Sequence, residues 1–153
     1  MAELTPRLSE SLTGTWELAS RVTLTTDGRT VPSPFGADPV ALLIYDGCGN
    51  FAAQFMKRDR DPEALELATP GSAAPNNSRT VNGYDAYFGR YSVDDEYSAV
   101  TQTLTGSLSP ENVGQVLTRT MSVSGDELTI KVDTASPEGH AAVITLTWRR
   151  LSN

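Results

Sequence analysis

Apolar and polar side chains alternate along much of the chain, and a period of two residues is typical of β-strands with one buried face. The clearest case begins at Trp16 and ends at Thr25. Its apolar face is predicted to carry Trp16, Leu18, Ser20, Val22 and Leu24. Helical periodicity is almost absent elsewhere, so the pattern predicts an all-β protein.

A hairpin is the most secure local prediction. The run from Val40 to Tyr45 is nearly all apolar, and a second apolar run covers residues 51–56. Between them lies Asp46-Gly47-Cys48-Gly49-Asn50, whose glycines can supply positive φ angles. We therefore expect two antiparallel neighbours joined by this turn.

Similar runs rich in Val, Thr, Ile and Tyr recur between turn residues. The predicted strands cover residues 16–25, 40–45, 51–56, 87–93, 97–108, 115–123, 128–132 and 142–151. Eight or nine strands joined mostly as neighbours predict a single antiparallel up-and-down β-barrel, and a barrel of this size has room for one small ligand. A two-sheet sandwich is the structural alternative.

Residues 57–82 have a different composition. Charged residues at 57–61 precede Pro62-Glu63-Ala64-Leu65-Glu66-Leu67, which Asp61 could cap as a short helix. A loop rich in Pro, Gly, Ser and Asn follows. We expect either a flap over the barrel mouth or a plain linker.

A chain of 153 residues suits one domain. We divide it into an N-terminal extension, 1–12, and a barrel domain, 13–153. A net charge of −7 disfavours nucleic acid and anionic membranes as partners, because both require clustered Lys and Arg. The start lacks a secretory signal, so we expect a cytoplasmic protein.

Metal and cofactor chemistry find little support in the sequence. Cys48 is the single cysteine and His140 the single histidine, so neither a disulfide nor a Cys/His metal cage can form within the chain. A phosphate-cradling glycine loop is also missing, because Gly47-Cys48-Gly49 stands between two strands. We expect no metal and no cofactor.

Several motifs resemble the bacterial and fungal lipocalin-like domain family. Gly14-Thr15-Trp16 is similar to the G-x-W signature of lipocalins. Three longer stretches, at residues 34–45, 53–60 and 87–94, resemble the family in order and spacing. The resemblance continues to Thr147-Trp148 and implies a lipocalin-like barrel with a ligand cavity. It also implies that Trp16 closes the barrel floor and packs against Arg149 or Arg150.

Alternation also predicts which side chains face the lumen. The candidate catalytic residues are polar groups on the middle strands, namely Tyr87, Tyr91, Gln102 and Arg119. The candidate ligand-binding residues are Trp16, Gln54, Met56, Leu104, Met121 and Trp148. Arg119 could hold a ligand carboxylate, enolate or carbonyl, and the alternative is a structural arginine that stacks on an aromatic ring or pairs with a carboxylate.

Two functions fit such a lumen. The first is a cofactor-free cyclase or isomerase of polyketide-like metabolism that preorganises a hydrophobic substrate and polarises its carbonyl. The second is a non-catalytic carrier of an apolar metabolite. The enzyme is favoured slightly, because a cytoplasmic barrel has less need to ferry ligands. The oligomeric state is expected to be monomer or homodimer.

Overall fold

The computed structural model describes residues 6–60 and 83–152, and these form one closed antiparallel barrel of eight strands. The strands are β1 (Gly14–Thr25), β2 (Val40–Tyr45), β3 (Asn50–Met56), β4 (Tyr84–Asp94), β5 (Ala99–Ser107), β6 (Val116–Ser124), β7 (Glu127–Ala135) and β8 (Ala141–Ser152). Each strand pairs with its neighbours in sequence, and β8 closes the barrel against β1. The predicted up-and-down barrel is confirmed, and the sandwich alternative is excluded.

The up-and-down order gives the barrel two different ends. The turns β2–β3, β4–β5 and β6–β7 lie at one end, together with a short helix α1 (Leu8–Ser11). The connections β1–β2, β3–β4, β5–β6 and β7–β8 lie at the other end, which we call the mouth. A one-turn 3₁₀ helix, Pro110–Asn112, belongs to the β5–β6 connection.

The barrel interior is filled by alternate residues of each strand. In β3, for example, Phe51, Ala53 and Phe55 are buried, whereas Gln54 is exposed. The outer face of β2 is also apolar, which explains why that strand has no visible alternation in its sequence. There Val40, Leu42 and Ile44 are each 38% exposed.

One strand departs from the predicted alternation. The pairing of β1 with β8 shifts by one residue between Leu18 and Ser20, so Ala19 is an extra residue in the ladder. Such a bulge reverses which face the following side chains occupy. The prediction that Val22 and Leu24 face inward is therefore wrong, since they are 44% and 42% exposed.

Two predictions concern segments at the edges of the described structure. The predicted helix at 62–67 and most of the flap, 61–82, lie outside the described residues, and residues 57–60 are not helical. In the segment assigned to the N-terminal extension, Leu8 and Leu12 are buried. The division into 1–12 and 13–153 stays a prediction.

Candidate functional site: the barrel lumen and its mouth

The end that carries α1 is sealed by Trp16. This side chain is fully buried, and its Nε1–H donates a hydrogen bond of 3.0 Å to the carbonyl of Leu12. The guanidinium carbon of Arg150 lies 4.2 Å from the centre of the Trp16 ring. Arg149 instead pairs with Glu17 on the outer surface. Trp16 therefore forms the floor with Arg150 as its partner, and it does not line the cavity above.

A small cavity of about 20 Å³ lies inside the barrel. A volume of this size holds about one water molecule. Its walls are mostly apolar and include Phe55, Met121, Leu146 and Trp148, with Tyr45, Tyr87, Gln102 and Arg119 as polar members. Larger ligands can enter only if one of the surrounding groups moves.

Tyr45 and Gln102 form a buried polar pair in this wall. The Nε2–H of Gln102 donates to the Tyr45 hydroxyl at 2.6 Å, and that hydroxyl lies 3.8 Å from Sδ of Met121. Burial raises the pKa of Tyr45 well above its usual value, and the nearby Tyr87 adds to the effect. Tyr45 is therefore a neutral hydroxyl at physiological pH, and sequence analysis had not selected it.

Arg119 is partly buried at the edge of the cavity. Among the described residues its only hydrogen bond runs from Nη1 to its neighbour's carbonyl, that of Thr118, at a long 3.4 Å. No carboxylate pairs with it in the described part of the chain, and burial lowers its pKa. The pairing of β6 with β7 begins only at Thr120↔Lys131, so Arg119 lies where these two strands separate toward the mouth.

Trp148 contributes a second donor. It lines the cavity and packs edge-on against Phe55, with ring centres 5.7 Å apart. Its Nε1–H is buried and has no acceptor among the described residues. A buried donor without a partner is costly, so the Nε1–H of Trp148 has unused hydrogen-bonding capacity in the wall of the cavity.

Phe35 closes the mouth from the β1–β2 connection. Its ring is fully buried and stacks on Phe55, with centres 5.3 Å apart at an interplanar angle of 29°. The following Gly36 has a φ of +79°, a conformation that favours glycine and lets the loop turn at this point. Phe35 thus packs on Phe55, one of the residues that line the cavity.

A second inward-facing arginine lies above Phe35. Arg21 follows the bulge of β1 and pairs in register with the buried Leu146, so its side chain points inward. It lines a cleft of about 490 Å³ at the mouth, together with Thr23 and residues 31–34 and 134–137. Sequence analysis missed Arg21 because simple alternation assigns it to the outer face.

The predicted site residues thus separate into groups. Tyr87, Gln102, Arg119, Met121 and Trp148 line the cavity. Leu104 is buried in the core without lining it. Tyr91 packs on Tyr45, but its hydroxyl donates to the Asp46 carbonyl at 2.5 Å, toward the floor end.

Gln54 and Met56 require correction. Both lie on the outer face of β3, because the inward parity belongs to Phe51, Ala53 and Phe55. Gln54 accepts a hydrogen bond from the hydroxyl of Tyr84, also outside the barrel. Neither side chain reaches the lumen.

An eight-stranded up-and-down barrel with a sealed floor and an internal cavity defines the class of small ligand-binding barrels. The sequence profile of the lipocalin-like domain matches residues 13–151, which is most of the chain. The chain therefore belongs to the lipocalin-like domain family. No curated protein matches the chain significantly.

Two further findings bear on possible partners. Within residues 6–60 and 83–152, no cluster of three or more His, Cys, Asp or Glu side chains is arranged to hold a metal ion. The short helices of this part of the chain also lack the length and apolar character needed to cross a membrane.

Proposed function

We propose that the barrel binds a hydrophobic small molecule that carries a carbonyl oxygen, and that this oxygen is held by Arg119 and Trp148. The observation that carries the proposal is the buried Nε1–H of Trp148, which has no acceptor among the described residues, in a mostly apolar wall that also carries Arg119. A ligand oxygen would supply that acceptor and could also accept from Arg119, whereas a pure hydrocarbon would leave the Trp148 donor unsatisfied.

Beyond binding, we propose that the protein is a cofactor-independent cyclase or isomerase that acts on polyketide-like molecules. An intramolecular cyclisation or isomerisation gains and loses no atoms or electrons, so it needs no oxidant or reductant. Arg119 and Trp148 would polarise a carbonyl conjugated with the reacting bonds, and the apolar walls would hold the reactive conformation. The neutral Tyr45–Gln102 pair would orient the same group without exchanging a proton.

A non-catalytic carrier is the alternative, with the same pocket and no turnover. Incubation with polyene and polyketide-like ketones, followed by product analysis, distinguishes the two. Saturable binding with no acceleration of any conversion would favour the carrier for those compounds.

Binding itself is tested by displacement of the neutral dye phenylnaphthylamine. We expect decyl methyl ketone to bind roughly 10- to 100-fold more tightly than dodecene, since one hydrogen bond to a charged group contributes roughly 1.5–3 kcal/mol. Arg119→Gln should abolish most of this preference. Lys131→Gln removes the same charge from the exposed outer face of β7 and should leave it intact. Equal affinity of the wild-type protein for the ketone and the alkene would overturn the proposal.

A further inference from the structure

Arg21 is a partly buried cation at the mouth of the barrel, in a protein with a net charge of −7. Burial lowers the pKa of Arg21. Its Nη1–H donates to Ser33 Oγ at 2.8 Å, but Nε is buried and has no acceptor among the described residues. No Asp or Glu pairs with it in the described part of the chain. A cation held out of water without a carboxylate partner is costly, and a bound anion would offset that cost.

The cleft around Arg21 is charged in one place only, although hydroxyl-bearing residues also line it, namely Thr23, Ser33, Thr134 and Ser136. Arg21 is its one charged side chain, and the other walls come from Thr23, the proline-containing segment 31–34 and the segment 134–137. The Nε–H of Arg21 has no acceptor among the described residues, and a guanidinium can donate two parallel hydrogen bonds to the two oxygens of a carboxylate. Because the cleft has a single positive charge, it balances a carboxylate monoanion but not a phosphate dianion, so the chemistry favours a carboxylate.

The cleft and the internal cavity are neighbours. Ile144 lines the cleft and pairs in register with Val132, which lines the cavity. Phe35 lies between the two spaces, since it stacks on Phe55 of the cavity and lies 5.6 Å from the guanidinium carbon of Arg21. Phe35 therefore contacts one lining residue of each space.

We propose that Arg21 is a carboxylate subsite and that the ligand is an amphipathic acid. Its carboxylate binds Arg21 in the mouth, and its apolar chain enters the lumen in place of Phe35. This inference rests on the proposed function, to which it adds the chemical class of the ligand and its orientation. Arg21 is then a specificity residue that the bulge of β1 brings to the mouth.

The test compares dodecanoic acid with its methyl ester by displacement of phenylnaphthylamine at neutral pH. We expect the acid to bind about tenfold more tightly to the wild-type protein, as one charge-assisted contact predicts. Arg21→Gln should abolish this preference, and Arg21→Lys should keep part of it. Arg29→Gln is the matched control, because Arg29 is an exposed arginine at the same end, paired with Asp27.

The outcomes separate the two proposals. The carboxylate subsite is overturned if the wild-type protein does not prefer the acid, or if Arg21→Gln keeps that preference. Neither result affects the proposed function, which is tested separately by the preference for the ketone and its loss in Arg119→Gln. If Arg119→Gln rather than Arg21→Gln abolishes the preference for the acid, the carboxylate binds in the inner cavity, and the subsite at Arg21 is overturned as well. If neither compound, nor decyl methyl ketone, displaces the dye, both proposals fail. The ratio of affinities within each variant stays informative even if Arg21→Gln lowers stability.

Discussion

The guanidinium of Arg150 lies over the ring of Trp16, with its central carbon 4.2 Å from the ring centre, and joins the last strand to the first at the barrel floor. The same side chain donates to the carbonyls of Ser11 at 2.7 Å and Thr13 at 2.9 Å. It therefore fixes the chain between α1 and β1 while it covers the tryptophan.

Arg150→Gln should destabilise the protein by roughly 2–4 kcal/mol, because two charge-assisted hydrogen bonds and a cation–π contact are lost together. Urea unfolding followed by tryptophan fluorescence measures the change. Arg149→Gln is the control, since within the described residues Arg149 forms an exposed pair with Glu17, and exposed pairs contribute little. Similar losses in the two variants would contradict the assigned role of Arg150.

Phe35→Ala should open the mouth. The loss of a fully buried ring should cost roughly 3 kcal/mol of unfolding free energy, and the dye should enter the lumen faster. Stopped-flow fluorescence with phenylnaphthylamine measures the association rate. Tyr97→Ala serves as control, because Tyr97 is 71% exposed in the β4–β5 turn at the floor end. An unchanged association rate in a destabilised Phe35→Ala protein would show that the ring stabilises the loop without gating entry.

The raised pKa of Tyr45 predicts that the folded protein loses stability at alkaline pH. The pKa of Tyr45 is higher in the folded protein than in the unfolded chain. Its contribution to the free energy of unfolding is therefore complete below the pKa of the unfolded state and is lost as pH rises above that value. Above about pH 10, this one group should lower the unfolding free energy by about 1.4 kcal/mol per pH unit.

Tyr45→Phe isolates this effect from that of the other tyrosines. At neutral pH it should cost about 1–3 kcal/mol, because Gln102 loses its acceptor. The difference from the wild-type protein should then shrink as pH rises above the ordinary tyrosine pKa. Denaturant titrations at several alkaline pH values give the slope of unfolding free energy against pH for the wild-type protein and for Tyr45→Phe. Equal slopes for the two proteins would show that Tyr45 ionises normally in the folded protein.

Gly89 is required where β4 meets β5. A Cβ at this position would lie 1.8 Å from the Thr103 carbonyl oxygen, next to the register shift between Phe88 and Gly89. Backbone would have to move, so Gly89→Ala should cost about 3 kcal/mol. Gly47→Ala is the matched substitution, because nothing lies within 4 Å of a Cβ there. Its unfolding free energy should change by no more than about 0.5 kcal/mol.

Much of the barrel could be predicted from the sequence because most of its strands alternate visibly between apolar and polar residues and are joined by recognisable turns. The β2–β3 hairpin is the clearest example, with Gly49 at a φ of +85° in the turn. The floor was also predictable, since the G-x-W resemblance implied an arginine over Trp16.

The lumen was less predictable for three physical reasons. Bulges have no simple sequence signature, so Arg21 was assigned to the wrong face. Both faces of β3 carry apolar residues, so alternation did not show which face points inward, and Gln54 and Met56 were predicted to lie inside. A loop residue can fill a barrel mouth, and only the aromatic ring in Pro34-Phe35-Gly36 hinted that one does.

The extra residue in β1 has a broader consequence. Had the ladder continued past Leu18 without a bulge, the same sequence would place Val22 and Leu24 inside instead of Arg21 and Thr23. Removal of Ala19 takes out only the extra residue, so Ser20 stays opposite Thr147 and we expect Arg21 and Thr23 to stay inward. The charge at the mouth of the barrel therefore depends on the register between β1 and β8 as well as on side-chain identity.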